Sequence, residues 1–263
     1  MELKKFEDLE QAQLTVSFGS QRLFVSVFFI DGLLIDTGPS KMRAELIPLF
    51  EEWKMNEVVL THHHEDHTGM ANWIQRHKQI PIYLHEIGIP ACERDMDLPF
   101  YRKVFWGERK PFQALPLQQR HRTPNYEWEV IHTPGHADDH VALWNREKGW
   151  MFGGDLYVQS SPKSSFAFES IPGIIQSLHK VLTYDFETYI CSHAGVIRNG
   201  RSVIEKKLDY LTGIQQEVLH MAGQGLTNRE IRKQLFPKRH PMHYLSFFEN
   251  SPMHLVNSIL ARS

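Results

Sequence analysis

A layered α/β fold is predicted for this chain of 263 residues by three observations. Short β-branched and aromatic runs alternate with stretches at helical spacing. Glycine, proline and aspartate mark the joints between them. The 41% hydrophobic content is enough to bury a sizeable core. From Leu14 to Ile35 the pattern reads as a small antiparallel meander, broken at Gly19 to Gln21 and at Asp31-Gly32, and ending in DTGPS. KMRAELIPLFEEWK then places Met42, Leu46, Leu49, Phe50 and Trp53 near helical spacing, with Pro48 weakening the helix. EVVL reads as a short buried strand, MANWIQRHK as a helix and IPIYLH as the next strand.

Residues 86 to 125 break this rhythm with no periodicity but many aromatics, Phe100, Tyr101, Phe105, Trp106 and Phe112 among them. The segment reads either as an insertion packed as a lid over a pocket or as an ordinary core helix closing the domain. Strands resume at WEVIHT, HVALWN and GWMFGGD. PGIIQSLHKVL is a helix with Pro172 in its first turn, followed by the strand TYICSHAG. Beyond RNGRS the chain is helical to near its end, and Thr227 and Glu230 are spaced as a capping box.

The formal charge of −2 gives no global reason to expect a polyanionic partner. Residues 196 to 263 nevertheless carry ten Lys or Arg against five acids, which hints at such a partner or at the solvated face of an amphipathic tail. Two cysteines, Cys92 and Cys191, make no disulfide framework, and MELKKFEDLE lacks the apolar run of a signal peptide, so a reducing cytoplasm is expected. No apolar run reaches the roughly 18 residues of a membrane span. LFVSVFFIDGLLI reads as two strands around a turn.

Sixteen histidines exceed what packing needs, and VVLTHHHEDHTG concentrates four of them. If the chain leaves EVVL still extended, His62 and His64 face one side and His63 the other. Two imidazoles at i and i+2 can then hold one ion. Asp66 and His67 follow where the chain turns into a helix, with Gly69 allowing a tight turn, and aim at a point beside the first. Each set is incomplete, since a catalytic zinc typically has three protein ligands and an open position. Further donors stand at strand ends beside glycine: His136 in HTPGHADDH, Asp155 in FGGD and His193 in CSHAG.

With Asp36 in DTG, these motifs resemble the metallo-β-lactamase superfamily over about residues 14 to 200. The resemblance implies a four-layer αββα sandwich with a two-metal site at one edge, a catalytic domain over 1–200 and a helical C-terminal extension over 201–263. It implies that His62, His64 and His136 bind one metal, that Asp66, His67 and His193 bind the other, and that Asp155 bridges them. Asp66 is the candidate catalytic residue, while Asp36 and His140 would support ligands or serve the core. His63 and Glu65 are left out, replaceable with metal still bound. THHHEDHTG and TPGH are most similar to glyoxalase II and related thioesterases. HTPGHADDHVAL also resembles the β-lactamase-like endoribonucleases, whose tail is a winged helix.

Two divalent ions about 3.5–4 Å apart lower the pKa of a shared water to about 7 and so supply a bridging hydroxide nucleophile. Zinc suits mixed imidazole and carboxylate ligands, and iron or manganese are accepted by the same set. The leading expectation is a hydrolase of a small-molecule ester, thioester or lactone, with specificity set by residues 86 to 125, the loop DLYVQSSPKSS and the tail. The second is an RNA phosphodiesterase using the basic tail. The third is a non-catalytic metal-binding interaction protein with the tail as a dimerisation element.

Overall fold

The computed structural model describes residues 1–18, 21–238 and 241–261. β1 (Glu2–Phe6), β2 (Leu9–Phe18), β3 (Gln21–Ile30), β4 (Leu33–Ile35), β5 (Glu57–Val59), β6 (Ile82–Leu84) and β7 (Leu115–Pro116) form one sheet in sequence order. Its first four strands pair antiparallel, and β4 to β7 run parallel. A second sheet takes β8 (Arg120–Arg122), β9 (Glu127–His132), β10 (Val141–Asn145), β11 (Trp150–Phe152), β13 (Thr188–Cys191) and β14 (Gly195–Ile197). Its spatial order is β14-β13-β11-β10-β9-β8. β12 (Ser165–Phe166) pairs instead with β15 (Asn250–Ser251).

Three apolar seams follow from the two-residue period of the strands. On β3, Val25 and Val27 face a seam with α1 (Arg43–Glu52) and α3 (Ala71–His77), while Phe28 and Ile30 face the other sheet. On β11, Trp150 and Phe152 meet that same inter-sheet seam, and Met151 turns to the seam beneath α6 (Ile171–Val181) and α7 (Gly200–Gly223). Three seams between two sheets and two helical faces make four layers, αββα. Each fully buried Leu, Val, Ile or Phe adds roughly 1.5–3 kcal/mol.

The meander is longer than its sequence pattern. β2 starts at Leu9 rather than Leu14 and is preceded by β1, whose ELKKF is solvent-exposed on the sheet edge and so shows no apolar alternation. Gly19 and Ser20, where one break was expected, lie outside the described residues. The other break is a tight turn with φ +52° at Asp31 and +82° at Gly32, the conformation that two-residue hairpins need. α1 continues through Pro48.

Within residues 86 to 125 the chain forms α4 (Ile89–Cys92), α5 (Phe100–Trp106), β7 and β8. Cys92, Phe105 and Phe112 join the first helical seam, while Arg102 and Trp106 of α5 line a pocket. The tail comprises α7, α8 (Asn228–Leu235), α9 (Pro241–Leu245), β15 and α10 (Pro252–Leu260). Thr227 and Glu230 cap α8 reciprocally. The tail shares its core with the sandwich: Ile204, Leu211, Ile231 and Leu255 lie in one buried cluster with Ile174 and Tyr189. No helix among the described residues is long and apolar enough to cross a membrane.

Candidate metal centre

β4 and β5 are parallel, as are β11 and β13, and β9 reaches the direction of β11 through two antiparallel steps. Their C-terminal ends therefore open at one edge of the sandwich. Asp36 follows β4, the histidine cluster follows β5, His136 follows β9, Asp155 follows β11 and His193 follows β13. The two sheets are joined there by Val141 N–H donating to Thr61 O (2.9 Å) and Ser26 N–H donating to Ser192 O (2.7 Å).

Two groups of potential ligand atoms result: His62, His64 and His136, and Asp66, His67, Asp155 and His193. In the first, His64 Nδ1 stands 3.0 Å from His62 Nε2 and 3.1 Å from His136 Nε2. In the second, His67 Nε2 lies 3.4 Å from Asp155 Oδ1, and His193 Nε2 lies 3.0 Å from Asp155 Oδ2. That same Oδ2 is 3.5 Å from His136 Nε2, so the Asp155 carboxylate stands between both groups. Asp66 Oδ2 completes the second set at 3.5 Å from His193 Nε2 and 3.6 Å from His67 Nε2.

Four of the five imidazoles, those of His62, His67, His136 and His193, have their outer nitrogens held, and this aims their inner lone pairs. Thr61 donates its hydroxyl to Asp36, so its oxygen accepts from His62 Nδ1–H at 3.0 Å. His67 Nδ1–H donates to Asp36 Oδ2 (2.7 Å), His136 Nδ1–H to Glu169 Oε1 (2.8 Å), and His193 Nδ1–H to the Phe24 carbonyl. His140 accepts the Asp155 backbone N–H at Nε2 (3.0 Å) and turns Nδ1 to Thr133. Burial pulls its pKa down to about 3, which keeps that acceptor neutral. Gly154 makes room for it: with φ +47°, a Cβ there would come within 2.6 Å of His140 Nε2.

These residues fit a pair of cations. Nitrogens sharing a tetrahedral ion at about 2.0–2.1 Å stand about 3.3 Å apart, close to the spacing of the three-histidine set. His67 Nε2 and Asp155 Oδ1 are buried with no hydrogen-bond partner, aimed into the second set. Burial, and then the neighbouring imidazoles, push His62 and His64 well below the ordinary histidine pKa. Burial also opposes charge on His67 and His193, yet Asp155 foremost raises both, His193 to about 9. Asp155 is raised by burial but drawn far lower by His193 and His67. His62 and His64 are thus held against protonation, while the carboxylates of the second set favour positive charge beside them.

Strand alternation explains only part of the cluster. β5 ends at Val59, and His62 to His64 lie in a non-helical segment, from which His63 turns to Asp139 Oδ1 at 2.7 Å. Glu65 opens a helix, α2 (Glu65–Thr68), and is fully buried, both its oxygens taking Arg102 at 2.6 Å. It is an internal strut rather than a residue turned to solvent. Gly69 has ordinary helical φ, and its role is close approach, since a Cβ would sit 2.4 Å from Ser40 N. Tyr157 packs over Tyr189 and bonds Ser160, and both cysteines are buried, the Cys191 sulfur taking the His193 backbone N–H at 3.4 Å. The sequence pattern does not single out Thr61, Glu169 or Arg102. Of these only Thr61, next to the cluster, leaves a local trace.

The pocket above the centre holds about 570 Å³, with His64, Asp66, His136, Asp155 and His193 at its base. Among relatives, a probable metallo-hydrolase, YqjP, of Bacillus subtilis is 24% identical over 259 residues, covering 81% of each chain. A hydroxyacylglutathione hydrolase of Hahella chejuensis is 29% identical over 150 residues, where the match spans 55% of this chain and half of that protein. A solved β-lactamase domain protein from Burkholderia ambifaria superposes with a TM-score of 0.72 at 17% identity, covering 99% of this chain and 88% of that one. The metallo-beta-lactamase superfamily model matches residues 21–193, the span that carries all seven converging side chains, and the chain belongs to that superfamily.

Proposed function

We propose that this chain is a dinuclear metal-dependent hydrolase of an ester, thioester or lactone. His62, His64 and His136 would hold one divalent ion, and Asp66, His67 and His193 the other, with Asp155 shared and zinc the first metal to test. The observation that carries the reading is the convergence of both donor sets around one carboxylate at the base of a largely apolar pocket. When bound, the ions supply Lewis acidity that polarises an acyl oxygen and acidifies water. Asp66, whose carboxylate faces the pocket, is assigned to hold the proton that attacking water releases. Phe105, Trp106, Phe166 and Phe168 exclude bulk water and bind apolar parts of the substrate. The relative named for hydroxyacylglutathione hydrolysis supports an acyl substrate. An RNA reading draws on Arg229 and Lys233, which face solvent on α8, but the apolar pocket favours acyl chemistry.

Metal analysis of the purified full chain, combined with a panel of esters, thioesters, lactones, β-lactams and phosphodiesters, tests this reading. Hydrolysis that is lost on chelator dialysis and regained with zinc, iron or manganese is the expected result. A chain that takes up no divalent ion, or works equally well without one, overturns it. Glu169→Ala removes the acceptor that orients His136 and is expected to weaken metal affinity by about 10–100-fold in competition with a chromophoric chelator. Unchanged affinity would show that His136 is oriented by something else.

A further inference from the structure

α7 buries an apolar stripe at helical spacing, Ile204, Leu208 and Leu211, and Lys207 stands within that stripe. Its side chain is 6% exposed and lines the pocket beside Leu211. Lysine is almost never this buried unless paired, yet no carboxylate lies within ion-pair distance among the described residues. Of three ammonium donors, one reaches the Leu156 carbonyl at 2.7 Å, and the ammonium also lies 5.9 Å from the centre of the Tyr157 ring. Glu169, the acidic side chain with the largest influence on it, is already engaged by His136 Nδ1 and the Phe166 N–H.

The other pocket cations are accounted for differently. Arg102 is neutralised by Glu65, and Lys163 is exposed on its loop. Of the pocket's lysines and arginine, Lys207 is the buried one with no ion-pair partner among the described residues. The same cavity is lined by Ser165, whose hydroxyl is buried with no partner, on the strand β12 that pairs with β15. A cation with spare donors and an unpartnered hydroxyl, on walls otherwise largely apolar, match an anion arriving with the ligand.

We infer that Lys207, with Ser165, is the receptor for a carboxylate that the substrate carries away from the bond to be cleaved. The preferred substrate is then an acyl compound bearing a free carboxylate. One ammonium balances one charge, so a carboxylate matches it where a phosphate dianion would leave negative charge buried. This inference rests on the hydrolase reading of the same pocket, which places the cleaved bond over the two donor sets.

Calorimetric titration of the metal-reconstituted full chain with α,ω-dicarboxylates of four to eight carbons, against monocarboxylates of equal length, tests the inference without needing turnover. At the length that spans the pocket, the dicarboxylate is expected to bind about 10-fold tighter or more. That advantage should vanish in Lys207→Met, persist in Lys207→Arg and shrink in Ser165→Ala. The comparison within the unaltered protein stands even if a variant fails to fold. Equal binding of mono- and dicarboxylates at every length, or an advantage that survives Lys207→Met, overturns the inference. Tighter binding of ω-phosphonocarboxylates overturns the choice of carboxylate. If the dicarboxylate preference holds while the acyl panel shows no hydrolysis, the hydrolase reading falls and the carboxylate receptor stands. The reverse pattern separates them the other way.

Discussion

Asp155→Ala is expected to give a folded protein that loses metal from both ligand sets together and has no measurable hydrolysis. The carboxylate is the one group within 3.0–3.5 Å of nitrogens from both sets, through Oδ2 to His136 and His193 and through Oδ1 to His67. Without it the second set keeps Asp66 and two imidazoles. His67 and His193 then lose the largest, though not the last, of the negative charges that raise them. Removing a partner that only supports a ligand typically costs 10–100-fold in metal affinity, so removing the carboxylate proposed as shared is expected to cost more than about 100-fold. Metal content by mass spectrometry and circular dichroism on the same sample decide the matter. A folded variant with full metal content and unchanged rate would remove Asp155 from the centre.

Glu65→Ala is expected to be among the most destabilising single changes in the histidine cluster, although Glu65 belongs to neither donor set. The Glu65 carboxylate is wholly buried and grips Arg102 Nε and a terminal nitrogen, each at 2.6 Å. Burial works against the Arg102 charge, yet Glu65 raises its pKa, so the variant strands a guanidinium under α5. Breaking such a pair costs about 3–5 kcal/mol. For a chain of this size, a melting temperature lower by on the order of 10 °C is expected. His63→Ala also leaves a buried carboxylate, Asp139, without its partner, but His63 is itself partly exposed and its removal lets water reach that oxygen, so the loss should be smaller. Equal melting points for the two variants would refute the distinction.

That pair shows where the sequence stops being legible. The order of elements and the seven converging side chains could be read because strand alternation and ligand spacing are local patterns. α4 and α5 could not, since helices of four and seven residues are too short to show a period. Glu65 and Arg102 are 37 residues apart, and Glu169 is 33 from His136, so their meeting is decided by packing alone. Lys207 is intermediate. A lysine three residues after Ile204 and four before Leu211 conflicts visibly with an apolar stripe, but only the cavity gives that conflict a meaning. Asp36 could be picked out in DTG, but the partners of its side chain could not. Its φ is +59°, and its carboxylate joins Thr61, His67 and Ser192.

The shared core of the tail bears on how this scaffold can acquire new preferences. The inner pocket wall is assembled from the loop after Asp155, from α7 and from β15, which pairs with β12, so residues near 165, 207 and 250 meet there. A graft that exchanged the final sixty residues with those of a relative would transplant selectivity and foundation at once. Change at this wall must therefore proceed by single substitutions that keep the helices seated, whereas the ligand edge, held by strand ends of both sheets, can stay as it is.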